Sequence, residues 1–256
     1  MMQNEKLLGP APTLIAHRGY SGRYPENTLL AYKAAYEHGA RYMELDLQLS
    51  ADQVPFVHHD ANLQRMAGVD LDIRDVQAQH VTSLKAAYQE RFDDEFADNE
   101  FTTFEALCDW LQSHSDVTMF VEIKQESIDR VGVPLFIDEV ARHISNTNVA
   151  SQCVIISFNH EVIEYSRKVS SMRSGWVLPK YNEANKTLLE GLKPDFLFWD
   201  KTILPESDAD IWQGSWQNVV YNLDDVASAI AMANRGIQFL ETNQIGTLMA
   251  SDLLAK

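Results

Sequence analysis

Four groups of polar residues, each joined to an apolar, strand-like run, carry the side chains of this 256-residue chain that could do chemistry. They are His17-Arg18-Gly19 with Pro25-Glu26-Asn27-Thr28, then Glu44-Leu45-Asp46, then His58-His59-Asp60, and finally Glu122-Ile123-Lys124. Glu44 and Asp46 stand two apart on a strand, so both carboxylates face one way while Met43, Leu45 and Leu47 face the other. Burying unpaired carboxylates costs roughly several kcal/mol each. Either a hard divalent cation bound by oxygens, with Glu122 as a third ligand, or a salt-bridge network with Arg18 and Lys124 would meet that cost. Histidine titrates near neutrality, so His17 and His59, at strand ends beside the acids, could accept one proton and return another. His38, His80, His114, His143 and His160 read as surface or satisfied core residues. The guanidinium of Arg18 suits two-pronged contact with phosphate, and Lys124 adds a point charge. On residues alone, this set suits metal-assisted cleavage of a phosphodiester.

In this order, the HRG, PENT, ELD, HHD and EIK segments resemble the glycerophosphodiester phosphodiesterase family, and the Ile156-Ser157-Phe158 strand end and a Gly236-containing last helix extend the likeness. The resemblance implies metal ligation by Glu44, Asp46 and Glu122. It also implies catalysis by His17 and by His59, the histidine directly before the aspartate; His58 would point to the opposite face and pack structurally. All-oxygen ligation suits one Mg²⁺ or Ca²⁺ better than zinc. Glu26 and Asn27 would brace the site through hydrogen bonds to its ligands, with Asn27 alternatively capping the first helix. Phe158 and Trp199 would contact the glycerol carbons, and Tyr221 and Glu241 would share the far wall.

The implied substrates are glycerophosphodiesters such as glycerophosphocholine, cleaved to sn-glycerol 3-phosphate and an alcohol. Attack by a glycerol hydroxyl through a cyclic phosphate and direct attack by water are both open. Val219-Val220-Tyr221-Asn222 and Phe239-Leu240-Glu241-Thr242 depart from the family's V-W-T-V-N and I-I-T-D patterns, which bears on the alcohol accepted. The rival readings are a lysophospholipase D-like enzyme, which would need an exposed apolar groove, and an inactive metabolite-binding relative, which would be expected to have lost a histidine or an acid.

The elements that must position these residues recur as strand, loop and helix. Leu14 to Ala16 precedes a helix over Leu29 to His38 that Asn27 or Thr28 can cap and Gly39 stops. Further strands are read at Tyr42 to Asp46, Met119 to Lys124, Val154 to Phe158, Ser174 to Val177, Phe196 to Trp199, Val219 to Tyr221 and Phe239 to Glu241. Eight such units predict a TIM-type (β/α)8 barrel over residues 1–256, with its site at the C-terminal strand ends. A doubly wound sheet lacks its G-x-G-x-x-G signature here. The segment from Leu47 to Phe56 is too short for a crossover helix and predicts an antiparallel hairpin turning near Asp52, with Asp46 opposite His58 or His59. Residues 61–116, including helices over Leu84 to Arg91 and Phe104 to Gln112 and an acidic loop from Asp93 to Glu100, read as an insertion over the pocket rim.

Composition narrows the partners. A formal charge of −16 disfavours nucleic acid and anionic bilayers, so a small dissolved phosphodiester is expected as the partner. No apolar run reaches membrane-spanning length, and Met1 to Pro12 lacks a signal-peptide pattern, which predicts a cytoplasmic protein without stable membrane insertion. Cys108 and Cys153 read as reduced core thiols. The sequence carries no reading of oligomeric state.

Overall fold

The computed structural model describes residues 6–170 and 172–254; the first five residues of the stretch read for a signal peptide lie outside them. The strands are β1 (Thr13–Ala16), β2 (Tyr42–Leu49), β3 (Pro55–Val57), β4 (Thr118–Ile123), β5 (Cys153–Ser157), β6 (Arg173–Val177), β7 (Phe196–Asp200), β8 (Gln217–Tyr221) and β9 (Phe239–Thr242). The helices are α1 (Leu29–Glu37), α2 (Gln64–Ala67), α3 (Ala78–Ser83), α4 (Gln89–Phe92), α5 (Phe104–Gln112), α6 (Gln125–Val131), α7 (Val133–Thr147), α8 (His160–Val169), α9 (Glu183–Leu192), α10 (Val226–Asn234) and α11 (Ile245–Met249).

Eight of the strands run parallel and close into a (β/α)8 barrel, because β1 pairs with β2 on one side and with β9 on the other. The short β3 is the exception. It returns antiparallel along β2 with Leu47 opposite Val57, and the next pair brings His58 to Asp46, whose carbonyl accepts the His58 N–H at 2.9 Å.

Strand alternation sorts the core into two layers. Ile15, Phe120, Val154, Ile156, Val177, Phe196, Phe198 and Val219 fill the barrel. Met43, Leu45, Leu47, Val121, Ile155, Leu197 and Leu240 point outward against the helices. The same parity that sends Met43, Leu45 and Leu47 outward sends Glu44 and Asp46 inward.

Helix α1 begins at Thr28, whose hydroxyl accepts from the Ala31 N–H and donates to the Pro25 carbonyl, and Gly39 follows its end at φ +96°. Gly19 makes the turn after the first histidine possible. It adopts φ +77°, and a Cβ there would stand 2.7 Å from the Ala31 carbonyl carbon, so only glycine lets the loop lie this close to α1.

Several expectations are corrected. Phe104–Gln112, read as part of the rim insertion, packs in the outer helix layer, with Phe104, Leu107, Cys108 and Leu111 all buried. Its one-sided apolar face packs against the barrel, as the faces of the other outer helices do. Leu84 to Arg91 is not one helix: α3 ends at Ser83, and Lys85 forms an isolated bridge with Glu100 before α4 begins at Gln89. Gly236 does not lie in the last helix; it follows α10 at φ +85°.

Trp199, expected on the pocket wall, lies on the outer face of β7. Phe198 beside it takes the inward position, because neighbouring strand residues face opposite sides. Between β7 and β8 the described residues form no α-helix, only a turn of 3₁₀ helix at Asp208–Asp210. Aromatic side chains cover the barrel there: Trp212 lies 5.3 Å from Trp199 and 4.9 Å from Tyr181, ring centre to ring centre. Replacing Trp199 with alanine should therefore lower unfolding free energy by about 3–5 kcal/mol. Denaturant unfolding would measure that loss.

Candidate active site

The C-terminal ends of the strands converge on one pocket of about 150 Å³, lined by His17, Arg18, Glu44, His59, Glu122, Lys124, Phe158, Phe198, Tyr221 and Glu241, among others. His17 and Arg18 follow β1, Glu44 and Asp46 lie on β2, Glu122 on β4 with Lys124 just after it, and Glu241 on β9. The hairpin is what delivers His59. Without the reversal at β3, the chain would leave β2 with no return to the pocket.

Carboxylate oxygens of Glu44, Asp46 and Glu122 lie within 4.8 Å of one another, a spacing able to hold a divalent cation. Glu44 Oε1 is buried with no hydrogen-bond partner, and Asp46 Oδ1 has only the Lys124 ammonium, 3.3 Å away. Unspent buried oxygens of this kind fit a hard cation. Burial first, then Asp46 and Glu241, push the Glu44 carboxyl well above the usual carboxylate range. Asp46 goes the other way: burial would raise it, but Arg18 and Lys124 hold it well below that range. Burial also raises Glu122 and, more strongly, Glu241.

Glu241 appears in the sequence reading only as part of a wall. It is 3 % exposed, its Oε1 lacks a partner, and it converges with His17 and Glu44.

The bases are engaged with these acids. Arg18 Nε lies 3.0 Å from Asp46 and its Nη1 2.8 Å from Glu26, while Lys124 Nζ lies 3.0 Å from Glu122. Glu26 joins a longer chain of charges, with Arg65 Nη2 at 2.8 Å from Glu26 and Arg65 Nε at 2.7 Å from Asp60. Asp60 in turn lies 2.7 Å from His59 Nδ1. Burial would raise Glu26, yet Arg65 and Arg18 outweigh it and hold its carboxyl at about 2. Asn27, which could have capped the helix, instead donates from Nδ2 to Asp46 at 2.9 Å and accepts the Tyr32 hydroxyl at 2.9 Å. Thr28 is the cap.

His17 is lowered to about 4 by burial and then by Arg18, so its ring is neutral at pH 7. Its Nδ1 sits 2.8 Å from the amide oxygen of Asn243. His58 is 2 % exposed, lies edge-on to Phe101 and does not line the pocket. Phe158 is at the mouth, 42 % exposed, and Trp199 is absent from the lining.

The sequence reading missed Arg65, Asp224 and Asn243. Arg65 lies six residues beyond His59 on the rim segment and reads as an ordinary surface cation. Asn243 is 226 positions from its partner His17, and no local pattern announces that contact.

Residues 17–192, more than half of the chain, match the Glycerophosphoryl diester phosphodiesterase family. The chain is 30% identical over 159 residues to a glycerophosphodiester phosphodiesterase from Caldanaerobacter subterraneus, a match spanning 61% of this chain and 62% of that protein. It is 41% identical over 87 residues to glycerophosphodiester phosphodiesterase domain-containing protein 4 of Macaca fascicularis, covering 34% of this chain and 13% of that one. The chain thus spans less than two thirds of the length of these curated relatives. Among solved structures, a phosphodiesterase from Oleispira antarctica in complex with sn-glycerol-3-phosphate superposes with a TM-score of 0.82 at 21% identity, over 94% of this chain and 96% of that one. A glycerophosphodiester phosphodiesterase from Thermotoga maritima gives 0.70 at 23% identity, over 93% and 97%.

Buried His58 makes stability depend on pH. Burial lowers its folded pKa to about 4, against about 6.5 unfolded, so between these values the unfolded chain binds the extra proton. Stability should fall on acidification through that window by about 1.4 kcal/mol per pH unit from this residue. Urea unfolding of chelated protein at pH 7 and pH 5 would measure it, and His58→Phe should remove this residue's share of the dependence while leaving the share of His17, which burial also lowers to about 4. The order of the strand-end residues, their convergence in one pocket and the profile match together place the chain in the glycerophosphoryl diester phosphodiesterase family.

Proposed function

We propose that this chain hydrolyses glycerophosphodiesters, such as glycerophosphocholine or glycerophosphoethanolamine, to sn-glycerol 3-phosphate and an alcohol. The observation that carries this reading is the meeting of Glu44, Asp46 and Glu122 oxygens with His17 and His59 in one pocket of a chain from this family. Those three carboxylates would hold one Mg²⁺ or Ca²⁺, which suits their all-oxygen donor set. When bound, the cation supplies Lewis-acid stabilisation of charge on phosphoryl and hydroxyl oxygens.

The chain's own residues do the rest. His17, neutral and buried, takes the proton of the attacking hydroxyl, and His59, oriented by Asp60, gives one to the leaving alkoxide. Arg18 and Lys124 stabilise the nonbridging phosphate oxygens as charge grows there. Glu26 and Asn27 hold Arg18 and Asp46 in place. Phe158 covers the glycerol carbons. The pocket's small volume and mixed lining favour a compact polar diester over one bearing an acyl chain, and the net charge of −16 favours a small dissolved substrate over a nucleic acid or an anionic membrane surface.

Chelated protein should release no sn-glycerol 3-phosphate from glycerophosphocholine, and added Mg²⁺ or Ca²⁺ should restore release. His17→Ala should lower kcat by about 10²–10⁴-fold. Metal-independent release, or full activity in His17→Ala, would overturn the proposal. A substrate without the glycerol 2-hydroxyl separates the two nucleophiles, since full turnover of it rules out the cyclic phosphate.

A further inference from the structure

The ring of His17 is held by residues from the far end of the chain. The His17 N–H donates to the Thr242 carbonyl at 3.0 Å and the Gly22 N–H to the Asn243 carbonyl at 2.7 Å, which ties the loop after β1 to the end of β9. Asn243 Oδ1 lies 2.8 Å from His17 Nδ1, and Asn243 Nδ2 lies 2.9 Å from Asp224 Oδ2. Asp224 Oδ1 accepts the Asn243 N–H at 2.8 Å and the Thr242 hydroxyl at 3.1 Å.

These contacts allow one arrangement of protons. An ionised carboxylate only accepts, so the side of the Asn243 amide that meets Asp224 must be its NH₂. The amide oxygen is then left facing His17, and it too only accepts. Nδ1 must therefore carry the hydrogen, and in a neutral ring Nε2 is left with a lone pair. Nε2 lies 3.8 Å from Glu44 Oε2, beyond hydrogen-bond reach, so nothing at that distance calls the proton back. The Ser21 hydroxyl, 2.7 Å from the His17 carbonyl and 2.9 Å from Asn243 Oδ1, packs into the same corner.

We propose that Asp224 and Asn243 are positioning residues that fix His17 as the Nδ1–H tautomer and so keep Nε2 free to accept the proton of the attacking hydroxyl. The proposal rests on the reading of His17 as the proton acceptor. Asp224 is exposed and does not line the pocket, so it reaches His17 through its neighbours Asn243 and Thr242, and of these only Asn243 touches the ring.

The test reads the tautomer directly. In chelated protein labelled with ¹⁵N-histidine at neutral pH, long-range proton–nitrogen spectra should show His17, identified by its loss in His17→Ala, with a bare Nε2. In Asp224→Asn, the new carboxamide keeps its oxygen on the Asn243 N–H and turns its NH₂ toward the Asn243 side chain. The Asn243 amide must then flip and offer NH₂ to His17, which moves the ring hydrogen to Nε2. With metal restored, kcat on glycerophosphocholine should fall about 10–100-fold with KM within about twofold. The double exchange Asp224→Asn with Asn243→Asp again presents an acceptor oxygen to His17, and should restore both the tautomer and most of kcat. A purely structural role would give no such rescue. A hydrogen on Nε2 in the unmodified protein, or an unmoved tautomer in folded Asp224→Asn, would overturn the positioning role alone, whereas full activity in His17→Ala would overturn the proton-transfer reading on which it rests.

Discussion

Asp46 is the point on which the pocket depends. At 1 % exposure it is one of the most deeply buried charges in the chain, and it stays ionised because three groups from separate segments converge on it. Arg18 comes from the loop after β1, Asn27 from the turn before α1, and Lys124 from the end of β4. A fourth link runs through its backbone, whose carbonyl accepts the N–H of His58. Without the Asp46 carboxylate, Arg18 would keep only Glu26 and Lys124 only Glu122 as counter-charge, and the Asn27 amide would lose its acceptor; breaking a buried ion pair on one side typically costs about 3–5 kcal/mol. The first strand, the hairpin and the fourth strand are thus held in register by one carboxylate as well as by the ladder between strands.

The charges continue outward from that point. Asp46, Arg18, Glu26, Arg65, Asp60 and His59 form a series in which acids and bases alternate, ending at His59. Arg65 is the only member on the rim segment, and it joins Glu26, beneath the first loop, to the pair of Asp60 and His59. The rim is therefore fastened to the pocket through a side chain, and the acidic stretch beyond it, from Asp93 to Glu100, reaches back through Arg23 and Glu95 at 2.7 Å.

What the sequence made legible was whatever depends on local periodicity. Two-residue alternation is enough to put Glu44 with Asp46, and Glu122 with Lys124, on the inner face, and the short interval before Pro55 is enough to require a hairpin. The same rule misled at Trp199, where two large aromatics stand side by side at a strand end and only the register of β7 with its neighbours decides which one enters the barrel. The missing helix after β7 was hidden for a related reason: Trp212 and Tyr181 cover the barrel by packing on Trp199, and such packing has no period. Arg65, Asn243 and Asp224 were illegible because their partners are distant in sequence. Glu241 was visible as a residue but not as a charge in the acidic centre, since its nearness to Glu44 depends on closure between β1 and β9.

That closure bears on the order in which the protein is made. Both histidines and the Glu44, Asp46 and Glu122 carboxylates leave the ribosome well before Thr242 and Asn243, which fasten His17 from behind. A nascent chain can display every acid and base of the pocket while the ring of His17 is still free to turn. Only when β9 docks against β1 is that freedom removed, so ordering of the His17 ring waits on closure of the barrel and not on the emergence of the acids around it.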